Sequence, residues 1–255
     1  MRSASHAYLI CTSPRSGSTL LCEGLRGTRR AGAPAEFFDD RPDAVDYWKR
    51  HFLVLGMADY LNSIVDFTST PNGVFGAKIH WTNYAALRRV LQFCMAQRFA
   101  DVRHLSLDTL MRARFPQVHY IWLRRRNKVA QGISHYLVTR TNSWERFKDK
   151  RAEDGTVTHP NIEFNFTAID YCIYLAREYD LHWELYCARQ GLRPMAIYYE
   201  DLVTAYDPTL QQILEALDQR HDDLPPLEPR LERMAGARSL AWERRYLELT
   251  AGGDD

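Results

Sequence analysis

Ser13-Pro14-Arg15-Ser16-Gly17-Ser18-Thr19 is the stretch whose reading decides the fold. The run before it, Ala7-Tyr8-Leu9-Ile10-Cys11, is short, apolar and rich in β-formers, as a buried central strand is. After it, Leu20, Leu21, Gly24 and Leu25 recur at helical spacing. The pattern is strand, tight loop, helix. A helix that starts at Gly17, Ser18 and Thr19 turns unpaired backbone N–H groups and the positive end of its dipole toward the loop, which makes the loop an anion site.

The type of anion follows from what the loop lacks. A nucleoside-triphosphate P-loop has a first glycine, four residues, then Gly-Lys-Ser/Thr, with its hydroxyl on magnesium. Here Thr12 stands at the first glycine and Ser18 at the lysine, and the cation has moved to Arg15. No metal ion is called for. The loop resembles the 5′-phosphosulfate loop of sulfotransferases that use 3′-phosphoadenylyl sulfate (PAPS). That resemblance implies that Arg15, Ser16, Gly17, Ser18 and Thr19 hold the phosphosulfate, with Arg15 also acting on the leaving group.

Composition narrows the function classes. The chain has 255 residues, enough for one large α/β domain over 1–255, and no Pro/Gly/Ser-rich linker divides it. Lys plus Arg number 33 against 32 Asp plus Glu, so there is no general basic surface for nucleic acid. No segment approaches the roughly 20 apolar residues of a membrane span, and the start lacks a signal-peptide pattern, so the expected location is the cytoplasm. Cys11, Cys22, Cys94, Cys172 and Cys187 show no CxxC spacing and read as free thiols.

Downstream, Glu36-Phe37-Phe38 places a carboxylate beside two aromatics. Burial there is expected to raise its pKa and make it a stronger base. Together with Arg15 to Thr19, this triplet resembles the trehalose 2-sulfotransferase family, and the resemblance implies Glu36 as general base. Residues 43–66 fit one or two amphipathic helices. Val74 to Trp81 reads as a second strand ending in Lys78 and His80. A Lys-x-His element resembles that of cytosolic sulfotransferases, where the histidine is the base, which makes His80 the rival to Glu36. Phe37, Phe38, Trp48 and Trp81 are the aromatics expected to meet the acceptor.

Tyr84 to Leu110 is helical in pattern. Val118 to Leu123 is a third strand that empties into Arg124-Arg125-Arg126-Asn127, with Gln131 and Ser134 on the next helix. This second strand-helix anion site resembles the 3′-phosphate site of the sulfotransferases. Two registers remain, Arg125 with Ser134 or Arg126 with Ser134, and the family pattern favours Arg125. Lys148 to His159 reads as a mobile loop, Phe164 to Gln190 as a long helix, and Met195 to Leu202 as a last parallel strand followed by a Tyr-Glu-Asp-Leu element. Thr209 to Leu217 reads as a helix. By resemblance, Arg238 in the tail is a further 3′-phosphate contact.

The expected fold is three-layer, doubly wound α/β with a central parallel sheet of about four to five strands, the P-loop-like sulfotransferase fold. The expected function is sulfuryl transfer from PAPS, without metal, to a hydroxyl of a sugar or natural-product alcohol, in a chain that resembles often dimeric enzymes. The alternatives are a small-molecule or nucleoside kinase with a degenerate P-loop and a non-catalytic nucleotide-binding protein. Use of ATP and magnesium marks the first, and donor binding without turnover marks the second.

Overall fold

The computed structural model describes residues 4–52, 57–96, 98–99, 101–141, 161–220, 225–231 and 236–252. The elements in chain order are β1 (His6–Thr12), α1 (Ser18–Gly27), α2 (Pro42–Phe52), α3 (Met57–Thr68), β2 (Val74–His80), α4 (Tyr84–Met95), α5 (Leu107–Arg114), β3 (Gln117–Arg124), α6 (Lys128–Thr141), α7 (Phe166–Arg189), β4 (Met195–Tyr198), α8 (Tyr199–Thr204), α9 (Tyr206–Ala216) and α10 (Ala237–Ala251). The four strands form one parallel sheet in the order β2-β1-β3-β4.

β1 lies at the centre because its side chains are apolar on both faces, which only a strand covered on both sides tolerates. Leu9 and Cys11 join the layer of α3, α4, α5 and α7, with Phe75, Phe115 and Trp183. Tyr8 and Ile10 join the layer of α1, α8 and α9, with Leu21, Leu25, Leu210 and Ile213. Burying one such large side chain is worth about 1.5–3 kcal/mol, so the two layers clamp the sheet. A third cluster, including Tyr136, Ile173, Trp242 and Tyr246, fastens α10 to α6 and α7. This is the three-layer α/β architecture expected, with four strands.

Two details depart from the sequence reading. The helical pattern of Tyr84 to Leu110 breaks after Met95, and a second helix starts at Leu107, where the Ser106 hydroxyl accepts the Thr109 N–H at 3.1 Å. Between them Arg103 turns back on Asp101, and Arg88 donates to the Leu105 and Arg103 carbonyls, so polar side chains rather than helix bonds satisfy this backbone. The last helix of the strand-helix series starts at Tyr206, earlier than Thr209. The stretch Lys148 to His159 lies outside the described residues.

The register fixes the site. Thr12 is paired with His80 on one side and Leu123 on the other, and Arg124 with Tyr198. The carboxyl ends of all four strands therefore finish along one edge, where open α/β sheets carry their ligands.

Candidate active site

The loop after β1 is held in an uncommon shape. Arg15 has φ 63° and Gly17 φ 87°, both in the left-handed region. A Cβ on Gly17 would stand 2.4 Å from Cδ2 of Tyr199, so the position needs glycine for conformation and for space. Strain at Arg15 survives because its surroundings over-determine it. The Thr12 and Ser16 hydroxyls lie 2.5 Å apart, Thr12 Oγ1 donates to the Leu123 carbonyl at 3.0 Å, and Trp183 Nε1 donates to the Thr12 carbonyl at 3.1 Å. Gly17, the N-cap of α1, offers no side-chain acceptor to the helix start.

The second basic site is joined to the first. Arg15 Nε donates to Ser134 Oγ at 3.0 Å, and Arg125 Nη1 donates to the Arg15 carbonyl at 3.3 Å. The Arg125 guanidinium stands 4.7 Å from the Tyr199 ring centroid. Arg126 faces elsewhere: it makes a bidentate ion pair with Asp201, at 2.6 and 2.7 Å, and lies 4.0 Å from the Tyr198 ring centroid. The Arg126 and Asn127 N–H groups donate to the Glu200 carboxylate at 3.0 and 3.1 Å. Those bonds hold Glu200 below the ordinary carboxylate range although burial works the other way. Arg238 is exposed on the first turn of α10, a helix tied to the start of α6 by Asn127 Nδ2 donating to Glu243 at 2.6 Å.

Behind the loop is a buried polar ring that the sequence reading missed. Ser13 Oγ donates to Asp180 Oδ1 at 3.0 Å, and Gln131 Nε2 donates to Ser13 Oγ at 3.0 Å and to the Pro14 carbonyl at 2.7 Å. Lys128 Nζ donates to Gln131 Oε1 at 3.1 Å and to Asp180 Oδ2 at 2.7 Å, with Arg124 Nε 3.3 Å from that same oxygen. Asp180 is 3% exposed. Its sequence signal was a carboxylate on the buried stripe Ile169, Cys172, Ile173, Ala176, Asp180, Trp183 of α7.

The third group of residues surrounds Glu36. Lys78 Nζ stands 2.9 Å from Glu36 Oε2, His80 Nε2 3.3 Å from the same oxygen, and Asn83 Nδ2 donates to Oε1 at 2.9 Å. The expected rise in the Glu36 pKa is corrected by this geometry. Burial does push it up, but the charge and hydrogen bond of His80 and then of Lys78 outweigh burial and hold it well below the usual range. His80 Nδ1 is buried without a hydrogen-bond partner among the described residues, and its side chain is 10% exposed against 27% for Glu36. His135, next to Ser134 on α6, is another residue missed. Burial lowers its pKa, and the neighbouring charges of Arg15 and His80 lower it further.

The aromatics expected at the acceptor divide. Phe37 and Phe38 are 2% and 3% exposed and belong to the core. Phe37 and Trp48, with Tyr47, His51 and Phe67, line a cleft of about 400 Å³, whereas the Glu36 carboxylate is turned to Lys78, His80 and Asn83. Trp48 Nε1 donates to the Glu36 carbonyl at 3.1 Å, so it supports the chain carrying the carboxylate. Trp81 is stacked between Tyr84 and His182, with centroids 4.9 and 5.0 Å away. Among the described residues no group of three or more His, Cys, Asp or Glu side chains is placed to hold a metal ion, and no helix is long and apolar enough to cross a membrane. All five cysteines are free thiols.

A glycine-containing strand-helix loop, a second cationic strand end fastened to it and a carboxylate on the segment that runs beside β2 outline an α/β group-transfer site. Comparison with known proteins makes the class specific. The sequence profile of the Stf0 sulphotransferase family matches residues 7–248, and the chain belongs to that family. It is thus an enzyme of sulfuryl transfer to an acceptor hydroxyl. Trehalose 2-sulfotransferase of Mycobacterium tuberculosis is 29% identical over 96% of both chains. The enzyme of the same name from Mycolicibacterium smegmatis is 29% identical over 94% of both. Of solved structures, the sulfotransferase domain of the Synechococcus PCC 7002 olefin synthase is similar with TM-score 0.47 and 17% identity, covering 97% of this chain and 89% of that one.

Proposed function

We propose that the enzyme takes its sulfuryl group from PAPS and transfers it to a hydroxyl of a sugar, with Glu36 as the general base. The observation that carries this reading is the bond from Arg15 Nε to Ser134 Oγ, which sets two cationic strand-helix sites side by side. A donor with phosphates at both ends of one nucleoside needs such a pair. The residues fit it, since the α1 start has no side-chain cap and Arg15 and Arg125 converge on the loop. When bound, PAPS supplies the sulfuryl group and a phosphate leaving group.

The protein's own part is positioning and charge. Arg15 and the first turn of α1 stabilise negative charge gathering on the departing phosphate. Arg125 and Ser134 hold the 3′-phosphate by charge-assisted bonds. Arg125 is favoured over Arg126, because the Arg126 guanidinium is already engaged by Asp201. Arg238 is the remaining, exposed candidate for that phosphate. Glu36, ionised at neutral pH and reachable from solvent, accepts the acceptor's proton as the hydroxyl oxygen attacks sulfur. His80 is the poorer base, because its ring is shut away and its Nδ1 is buried. A sugar acceptor is supported by the trehalose 2-sulfotransferase relatives.

The test is transfer of radiolabelled sulfuryl from PAPS to a panel of sugars and natural-product alcohols, with a metal chelator present. Sugar-dependent label in product is expected, with Glu36→Gln slower by roughly 10² and still able to bind nucleotide, and His80→Asn costing much less. Transfer from ATP that needs magnesium would show a kinase instead. The reverse order of the two variants would make His80 the base.

A further inference from the structure

Ser13, Gln131, Lys128 and Asp180 close a four-membered circuit: each accepts from or donates to the next, at 3.0, 3.0, 3.1 and 2.7 Å. The circuit joins three elements. Ser13 begins the loop, Lys128 and Gln131 are in the first turn of α6, and Asp180 lies mid-way along α7. Gln131 and Asp180 are 0% and 3% exposed, and Ser13 is 0% exposed. A buried ring in which every member is satisfied is stiff, because breaking any link strands a polar group away from water. Asp180 is its only carboxylate among the described partners, and it also meets Arg124 at the end of β3.

We propose that Asp180 is a positioning residue for sulfuryl transfer: through Ser13, Gln131 and Lys128 it holds the β1–α1 loop and the first turn of α6 as one rigid unit, fixing the spacing of the two donor-phosphate sites. Among the described residues its hydrogen bonds and ion pairs go to Ser13, Arg124 and Lys128, not to the proposed phosphate contacts Arg125 and Ser134. This inference rests on the PAPS reading above. A positional role and a simple charge role have opposite signs. Asp180 is an anion beside an anion site, so on Coulomb grounds its removal strengthens nucleotide binding. Loss of spacing weakens the part of binding that needs both sites at once.

The experiment compares Ser13→Ala and Asp180→Asn with the wild type by calorimetry against 3′-phosphoadenosine 5′-phosphate and against AMP, which lacks the 3′-phosphate. The ratio of the two affinities reads the cooperation between sites. In both variants this ratio is expected to fall by about tenfold or more while AMP affinity changes by less than about threefold, and the double variant is expected to be no worse than the poorer single one. Turnover at saturating PAPS falls with the ratio. Ser13→Ala alters no charge, so it decides the matter if Asp180→Asn fails to fold. An unchanged ratio, tighter binding of both nucleotides or equal weakening of both overturns the proposal. If the wild type itself shows no preference for the 3′-phosphate, the PAPS reading falls and the inference with it; a wild-type preference that survives in both variants overturns the circuit alone.

Discussion

At Glu36, burial and neighbours pull in opposite directions. A carboxylate with most of its surface covered is expected to titrate high, yet Lys78 at 2.9 Å and His80 at 3.3 Å make the charged form the favoured one. Lys78 is the nearer of the two, and both meet the same carboxylate oxygen. A carboxylate held in its charged form can accept a proton at neutral pH but is a weak base. Lys78→Met removes a stabilising cation and leaves burial in place, so the Glu36 pKa moves up. The wild-type turnover should lose nothing to Glu36 protonation near the ordinary carboxylate value of about 4.3. The variant should show an acid limb at distinctly higher pH. The stability sign is the same: a depressed native pKa stabilises the fold above the unfolded carboxyl pKa, and that stability is lost as pH falls through the native one. Acid unfolding of Lys78→Met should therefore begin at higher pH. Superimposable pH–rate profiles for variant and wild type would show that Lys78 does not set the basicity of Glu36.

Elements matter through what they press against one another. The start of α8 has two duties, because the Tyr199 ring lies against Gly17 on one side and beneath the Arg125 guanidinium on the other. The loop's left-handed glycine and the aromatic residue after β4 are one fitted contact, although they are far apart in sequence. Gly17→Ala adds a methyl where the ring stands and a left-handed conformation that costs about 1–2 kcal/mol for an L-residue. We expect a lower unfolding temperature together with nucleotide affinity reduced beyond detection at ordinary concentrations. Adding Tyr199→Ala should relieve the clash and leave the conformational cost, restoring part of the unfolding temperature. A Gly17→Ala protein that melts and binds like the wild type would show the loop to be adaptable.

Across the whole molecule, the strand order β2-β1-β3-β4 puts the connections after β1 and β3 side by side, so a nucleotide spanning both, as proposed, would tie the two halves of the sheet together. A ligand that binds only the folded chain stabilises it by mass action. At a hundredfold excess over its dissociation constant, 3′-phosphoadenosine 5′-phosphate should add about 2.7 kcal/mol, or roughly 5–10 °C in unfolding temperature. Arg125→Ala should remove most of that increment at the same concentration, and Arg126→Ala little of it, measured by differential scanning calorimetry. An equal loss for both would move the 3′-phosphate off Arg125.

What the sequence determined by itself was the periodic and local part. Alternation between β-prone apolar runs and helical stripes specified a parallel α/β sheet. The loop from Arg15 to Thr19 pointed to an anion site, because backbone donors at a helix start depend on neighbouring residues alone. The identity of the cationic strand end was legible for the same reason. Tertiary structure decided everything that depends on distant residues meeting. It turned the Glu36 pKa downward through β2, and it drew Arg126 to Asp201 while aiming Arg125 at the loop. It put Phe37 and Phe38 into the core and made Asp180, an unremarked acid on a helix stripe, the buried partner of Ser13 and Lys128. Ion pairing and burial depend on separations of a few ångströms in space, and residues 36 and 78, or 13 and 180, acquire such separations only when the sheet and its helices close around them.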